Sequence, residues 1–560
     1  MVEPIRFTFH LETRAPRALA FRVLSDTDSF NQLARAGMTF ETVEGPDGPR
    51  ILGSVGKLGM TIHWEERPFS FRAPTWFRIQ REFQTGPAAR LTARAQLESL
   101  PEGGTAMRYQ LEVLPKSSLL RPVLSFDLKR SVEPHLRAAL ASVVAFLDAR
   151  ASDDLDEVDS ASLAPPPALS KQQERVLLER IQDLPATPLR ERLAAFIRAA
   201  PLREQLTMSA LALAQAWSSP LSDVADLFVR ALSAGVLGVR LDLLCPACLV
   251  PKAQIQGGAP LTEHCDTCKI RLDATFSEAL AIHFFPSPDI RDVRPKIECF
   301  GSPARTPQVV AQDFVPAGGA VELAVPLTPG TYQLRTIPAA GPPALIAIHE
   351  LDPTRALELH IGTSIHPQLC RARPGLESLV LHNDGAEPRV AVLERVLPPR
   401  KVMSLGRMMV EYPQLAALVP FSGFLSSVHV FFGAALALRA SSETEARELC
   451  SALSRARIAR SSDLHVLAIY ADVHGCVADV AATRGRWALA GVAYGQCMEG
   501  VIGKKQIPAG PAVDRAYESM SLSVVGDCSL TSADVGYFPQ APEGFRSVAA
   551  GELVHWEPIS

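Results

Sequence analysis

Cys245, Cys248, Cys265 and Cys268 are the residues of this sequence whose type and spacing most directly carry chemistry. They form two Cys-x-x-Cys pairs in LLCPACLVPKAQIQGGAPLTEHCDTCKI, residues 243–270, separated by a loop of sixteen residues. Each pair aims two sulfurs at one point, and Zn2+ takes four such ligands tetrahedrally. Four thiolates leave no position for water, so the zinc read from this spacing is structural and not catalytic. A redox dithiol and a disulfide are the competing readings. A dithiol centre needs one pair at a strand-to-helix turn, whereas two pairs flanking a hairpin-length loop suit a ribbon. His264, beside Cys265, is redundant as a fifth ligand and reads as solvated or as standing behind the ligands.

The elements that must hold such a site belong to a long chain. At 560 residues it is expected to hold about three or four domains. A hydrophobic fraction of 47% and a charged fraction of 21% suit folded globular units. A net charge of -4 gives no global basic field for nucleic acid or acidic lipid. The other cysteines (Cys299, Cys370, Cys450, Cys476, Cys497 and Cys528) sit mostly in apolar or strand-like runs, as buried free thiols do. The N-terminus lacks the charged, apolar and small-residue order of a secretion signal. Residues 415–438 are an uncharged run of 24, but Pro420, Ser422, Gly423, Ser426, Ser427 and His429 interrupt it. It reads as a helix end followed by a buried strand, and the chain as cytoplasmic with no membrane span.

The fold class expected is multidomain α+β. Residues 1–150 give a strand, two short helices, a run of antiparallel strands and a long closing helix with an apolar stripe through Leu136, Leu140, Val143, Val144 and Leu147. On APRALAFRVLSDTDSFNQLA, WEERPFSFRAPTWF and the last helix, this segment resembles the START/polyketide-cyclase-like helix-grip superfamily. That resemblance implies a pocket for a small hydrophobic ligand; the competing reading is a packed core. Residues 151–170 read as an acidic, then Ser/Ala/Pro-rich linker. Residues 171–275 read as a winged-helix-like set of helices plus the zinc ribbon. The helix that would enter a DNA groove offers Asp223 and Asp226 against Arg230, so no nucleic-acid partner is expected. Residues 276–400 carry many short strands with Pro/Gly turns, as in an antiparallel β-sandwich.

The middle of the chain, from AQAW through HCDTCKIRLDATF and LTPGTYQLRT, resembles an uncharacterised bacterial family that directly precedes class III adenylate/guanylate cyclase domains. LAGVAYGQCMEGVIGKKQIPAGPAVDRAYESM (489–520) in turn resembles the second half of such a cyclase, which implies an α/β ferredoxin-like domain over 401–560. The family reaction needs two metal ions on two carboxylates, plus an Asn and an Arg to meet phosphate charge. Asp514 and Glu518 stand at the Asn and Arg positions, two acceptors where donors belong. The first metal carboxylate belongs at the end of the opening strand. If VHVFFGAALAL is that strand, Gly433 or Ala434 replaces it; if VLAIYADVHGC is, Asp472 fits but too little chain follows. Asp472 otherwise reads as a strand-end turn, and Asp479 as a helix cap or surface carboxylate. GVIGKK is not a P-loop, since no Gly precedes Gly503 by five and no Ser/Thr follows Lys504. The implied activity is ligand binding, or pairing as a degenerate half with a second copy or with an active cyclase. An active cyclase with rearranged ligands and a zinc-dependent DNA-binding regulator are the alternatives.

Overall fold

The computed structural model describes residues 2–559 except 46–47, 58–59, 154, 156–157, 159, 245–250, 256–261, 266–269, 274–279, 294–301, 324, 351, 377, 397–409, 412–424, 463, 503–504, 524, 539 and 551. Ile5–Thr13 alternates buried and exposed residues, so one face of the strand turns inward. The helices Arg17–Leu24 and Thr27–Leu33 follow, then an antiparallel run from Thr39–Gly45 to Thr105–Pro115, the last of which pairs with Ile5–Thr13. The helix Glu133–Asp148 lays Leu136, Leu140, Val143 and Leu147 among Phe7, Phe9, Phe77 and Tyr109 of the sheet. Its end is pinned to the first strand: Thr13 Oγ1 and the Arg14 amide donate to Asp148 Oδ1 at 2.7 and 2.8 Å. These two bonds hold the Asp148 carboxyl below its ordinary range.

Part of the Ser/Ala/Pro-rich segment is docked onto this unit. Val158 and Leu163 are buried in its core, and Ser160 Oγ donates to Asp26 Oδ2 at 2.6 Å. The edge strand Ser70–Arg72 then pairs with Val309–Val315, which lies about 240 residues further along, so the helix-grip unit and the sandwich share one 13-stranded sheet. That sheet continues through Arg389–Arg395, Gly330–Ile337, Ala344–Ile348 and Leu369–Ala372. A four-stranded sheet of Ala320–Glu322, Ser378–Asn383, Ala356–Ile361 and Ile365–His366 faces it, with Leu334, Ile346, Ile361, Leu381 and Leu393 between the two. The sandwich is not wholly antiparallel: Ala344–Ile348 runs parallel to Leu369–Ala372, and Ala356–Ile361 to Ser378–Asn383. The chain alternates between the two sheets over 344–383, and each return enters its sheet in the direction of the strand it left.

The helices Lys171–Ile181, Pro188–Ala199, Leu202–Leu206, Ala210–Ala216 and Leu221–Ser233 pack on a three-stranded sheet of Pro251–Ile255, Leu237–Leu244 and Leu280–Pro286. Ser170 opens this unit with a reciprocal capping box to Gln173. A separate hairpin pairs Thr262–Cys265 with Ile270–Asp273.

In the C-terminal unit Leu425–Arg439 is central, flanked by His465–Tyr470 and Leu489–Ile502, with Ile458–Ser462 outside His465–Tyr470. Ser442 caps the helix Glu443–Ala452 and Asp472 caps Val473–Ala482; both helices cover one face of the sheet. The helix Pro511–Leu522 covers the other. Among the described residues no helix is long and apolar enough to cross a membrane.

Candidate functional site

The C-terminal sheet shows which of the two candidate strands comes first. Leu425–Arg439, which contains VHVFFGAALAL, is the first strand of that sheet, and His465–Tyr470, which contains VLAIY, is a later one. Neither Gly433 nor Ala434 has room for a carboxylate. A Cβ at Gly433 would lie 2.1 Å from the Tyr470 carbonyl oxygen, and Ala434 is fully buried. The strand runs on to Arg439, directly opposite His465, at the mouth of the hairpin Ile458–Ser462/His465–Tyr470. The strand therefore ends in a buried guanidinium, Arg439, beyond Gly433 and Ala434, the positions at which a metal carboxylate was expected. Asp463, within that hairpin, lies outside the described residues.

Arg439 is committed to the sandwich. Its Nη2 donates to Gln333 Oε1, Gln333 Nε2 donates to Glu394 Oε1, and Arg335 Nε meets the same oxygen at 2.9 Å. Above this chain Leu345 and Ala347 of the sandwich pack with Ala435, Ala437 and Leu467 of the C-terminal sheet. Thr331 Oγ1 adds a bond to the Ser523 carbonyl at 3.3 Å. Ile507, in the return strand Lys505–Ala509, is buried with Val224, Phe228 and Leu243 of the helical unit. The sheet face bearing Pro511–Leu522 is thus closed by the chain itself.

Burial pushes the His465 imidazole down to about 3, and the facing Arg439 cation adds to this. The unfolded chain takes up a proton near pH 6.5 while the folded one refuses it, so this contribution to stability is intact above pH 6.5 and lost as pH falls towards 3. Between pH 7 and pH 5 the protein is expected to lose roughly 1–2 kcal/mol through this group. A denaturation series at the two pH values checks it: His465→Gln should flatten the dependence, and an unchanged slope would remove His465 as its source.

On Pro511–Leu522, Asp514 is half-buried and Glu518 exposed. The single arginine of that helix, Arg515, is turned back to the sheet; its Nη2 donates to the Tyr494 carbonyl at 2.6 Å and to the buried Asp534 at 3.3 Å. No cation of this helix faces outward as a phosphate donor would. Asp472 Oδ1 accepts from the Gly475 amide at 2.8 Å, the strand-end role read from the sequence. Asp479 is neither cap nor surface carboxylate. It is fully buried and accepts from the Arg455 amide at 3.1 Å and from its guanidinium at 2.8 Å, because the helix turns it under the loop before Ile458.

No family model matches the chain, and no curated protein matches it. Solved structures similar to it cover about a quarter of the chain, its N-terminal part. The Zhui aromatase/cyclase from Streptomyces sp. R1128 is 14% identical over 27% of this chain and 98% of its own, with a TM-score of 0.22. A START superfamily protein from Mycobacterium smegmatis is 18% identical over 25% and 98%, with a TM-score of 0.20. A protein of Thermus thermophilus is 19% identical over 26% and 99%, with a TM-score of 0.20.

In the helix-grip unit the described inward side chains pack on one another: Phe21 meets Phe71 and Phe77 with ring centroids 6.5 and 6.2 Å apart, and Phe30 meets Tyr109 at 5.6 Å. A surface depression of about 490 Å³ is lined by His10, Leu11, Glu12, Gln96, Glu98, Ala106, Met107 and Arg108.

Of the four paired cysteines, Cys265 ends the described strand Thr262–Cys265, while Cys245, Cys248 and Cys268 lie outside the described residues, and the zinc site with them. The donor set itself suits Zn2+, with four soft thiolates and no open position. Cys370, Cys476, Cys497 and Cys528 are buried free thiols, as read from the sequence; Cys450 is half-buried. Burial raises Cys370 to about 11 and Cys497 to about 12, which keeps both as unreactive thiols.

Sequence reasoning missed Arg439, because its partner Gln333 lies 106 residues away in the chain. It also missed the exposed Glu358 and His360 and the half-buried His382, whose signal was the alternation Glu-x-His in ALELHIG.

Proposed function

We propose that this is a signalling protein whose cyclase-like C-terminal domain binds and does not turn over nucleotide. The observation that carries the reading is the lack of room for a carboxylate at Gly433 and Ala434: a Cβ at Gly433 would lie 2.1 Å from the Tyr470 carbonyl oxygen, and Ala434 is fully buried. A divalent metal beside that stretch of the strand would find no side-chain carboxylate there to hold it. The strand order Ile458–Ser462, His465–Tyr470, Leu425–Arg439, Leu489–Ile502 supports the ferredoxin-like reading of this domain. Asp514 and Glu518, with Arg515 turned inward, support the loss of phosphate donors. In this reading the helix-grip unit is the sensory module for a small hydrophobic ligand, and the four cysteines hold a structural zinc.

A partner role is favoured by one further feature. Val430 and Phe432 stand 44% and 65% exposed on the outer half of the opening strand, an apolar stripe suited to another cyclase-like chain. The protein incubated with ATP or GTP and Mn2+ or Mg2+ is expected to yield no cyclic nucleotide. Product that vanishes in Asp463→Ala or Asp472→Ala would sink the non-catalytic reading and establish a cyclase with rearranged ligands.

A further inference from the structure

Two strands of the sandwich bring a second set of metal-type donors together, far from the cysteines in sequence. Ala356–Ile361 and Ser378–Asn383 run parallel with His360 opposite His382. Alternation sends Leu359 and Ile361 into the core and leaves Glu358, His360 and His382 on the outer face. The two imidazoles stack with centroids 4.8 Å apart and planes 14° from parallel. One donor atom from each of Glu358, His360 and His382 lies within 4.8 Å of the others. His360 Nδ1 stands 2.9 Å from Asp384 Oδ2. A carboxylate only accepts, so Nδ1 carries the hydrogen and Nε2 keeps its lone pair for another partner. A histidine oriented by a carboxylate in this way is the arrangement that supports metal-bound imidazoles. His366, opposite His360 on its other side, is engaged elsewhere, with Nε2 2.6 Å from Ser364 Oγ.

We propose that Glu358, His360 and His382 bind a divalent transition ion of the zinc class, with Asp384 positioning His360. Two imidazoles and one carboxylate match the donor preference of Zn2+, Ni2+ or Cu2+, and not that of Mg2+ or Ca2+, which take oxygen. Donors about 2.0–2.1 Å from one ion stand at most about 4 Å apart with their lone pairs aimed at it, so on binding the two stacked rings turn out of parallel as the three side chains close. Their place on the outer face makes that a matter of rotamer change, not backbone movement. Three protein ligands leave a fourth position to water, which separates this site from the closed four-thiolate set.

The test is calorimetric titration of the full chain, as isolated, with zinc chloride alone. Wild type should take up one equivalent more than the double variant His360→Gln/His382→Gln. Asp384→Asn should keep that equivalent but bind it about 10-fold more weakly. Because these side chains are on the surface, thermal unfolding without added zinc should be the same in all three proteins. Equal zinc uptake and affinity in wild type and the double variant would overturn the site. An Asp384→Asn protein with wild-type affinity would overturn the positioning role.

Discussion

Replacing Gly491 by valine is expected to lift the helix Pro511–Leu522 off its sheet. A Cβ built at Gly491 falls 2.2 Å from the Ala516 carbonyl oxygen and 2.2 Å from the Met520 amide nitrogen. Both are helix backbone, so no rotamer change relieves the collision, and the helix itself must retreat. Retreat exposes Val513, Ala516 and Met520, all now buried. Overpacking a core costs about 1–3 kcal/mol when side chains can yield. Against backbone the cost should pass about 3 kcal/mol, into the range reserved for disrupted cores. Gly536→Ala is the control, since a Cβ there meets nothing within 4 Å, and it should stay within about 0.5 kcal/mol of wild type. Hydrogen exchange over 511–522 reads the outcome; wild-type protection in Gly491→Val would refute the close approach.

The second large effect is expected where the helix-grip sheet joins the sandwich. Arg72 Nη2 meets Asp313 Oδ2 at 2.8 Å and donates to the Glu322 carbonyl at 2.8 Å, with the two side chains 7% and 12% exposed. Burial pulls the Arg72 guanidinium below its ordinary value and the Asp313 charge opposes this; the arginine remains charged at any physiological pH. Arg72→Met leaves Asp313 buried with its main partner gone, which should cost about 3–5 kcal/mol. The double change Arg72→Met/Asp313→Leu removes both charges and should recover most of that loss, since apolar pairs of similar volume often replace buried ion pairs without penalty. Exchange protection over Ser70–Arg72 and Val309–Val315 is the measurement. A double variant as unstable as the single one would show that packing around the arginine stem, and not charge, holds the seam.

What could be read from the sequence followed from local rules. The alternation in RFTFHLET and the apolar stripe through Leu136, Leu140, Val143 and Leu147 were legible because a strand and a helix expose their periods directly. Asp472 was legible as a strand-end turn residue because it follows an apolar strand, though not as the cap of the helix that starts there. The pairings that position the candidate site were not. Arg72 and Asp313 are 241 residues apart, and nothing local to either marks the other as its partner. Arg439 looked like the polar end of an apolar run; only the register with His465 and the bond to Gln333 place it in the buried seam with the sandwich. Asp479 sits on a helix with apolar neighbours on every side, and its burial depends on Arg455 arriving from another element. The parallel strands of the sandwich were equally hidden, because alternating short strands look the same whichever way they run.

The shared 13-stranded sheet also has a practical consequence for anyone dividing the chain. Residues 1–150 look separable, and a fragment cut there would keep its closing helix but lose Val158 and Leu163 from its core. It would also leave Ser70–Arg72 with one open side, its hydrogen-bonding groups and the Arg72 charge bared together. Such an edge invites pairing with any other strand in solution. The fragment should therefore aggregate where the whole chain does not, and the minimal soluble piece should extend at least through Arg389–Arg395, the strand that flanks Val309–Val315 on its far side.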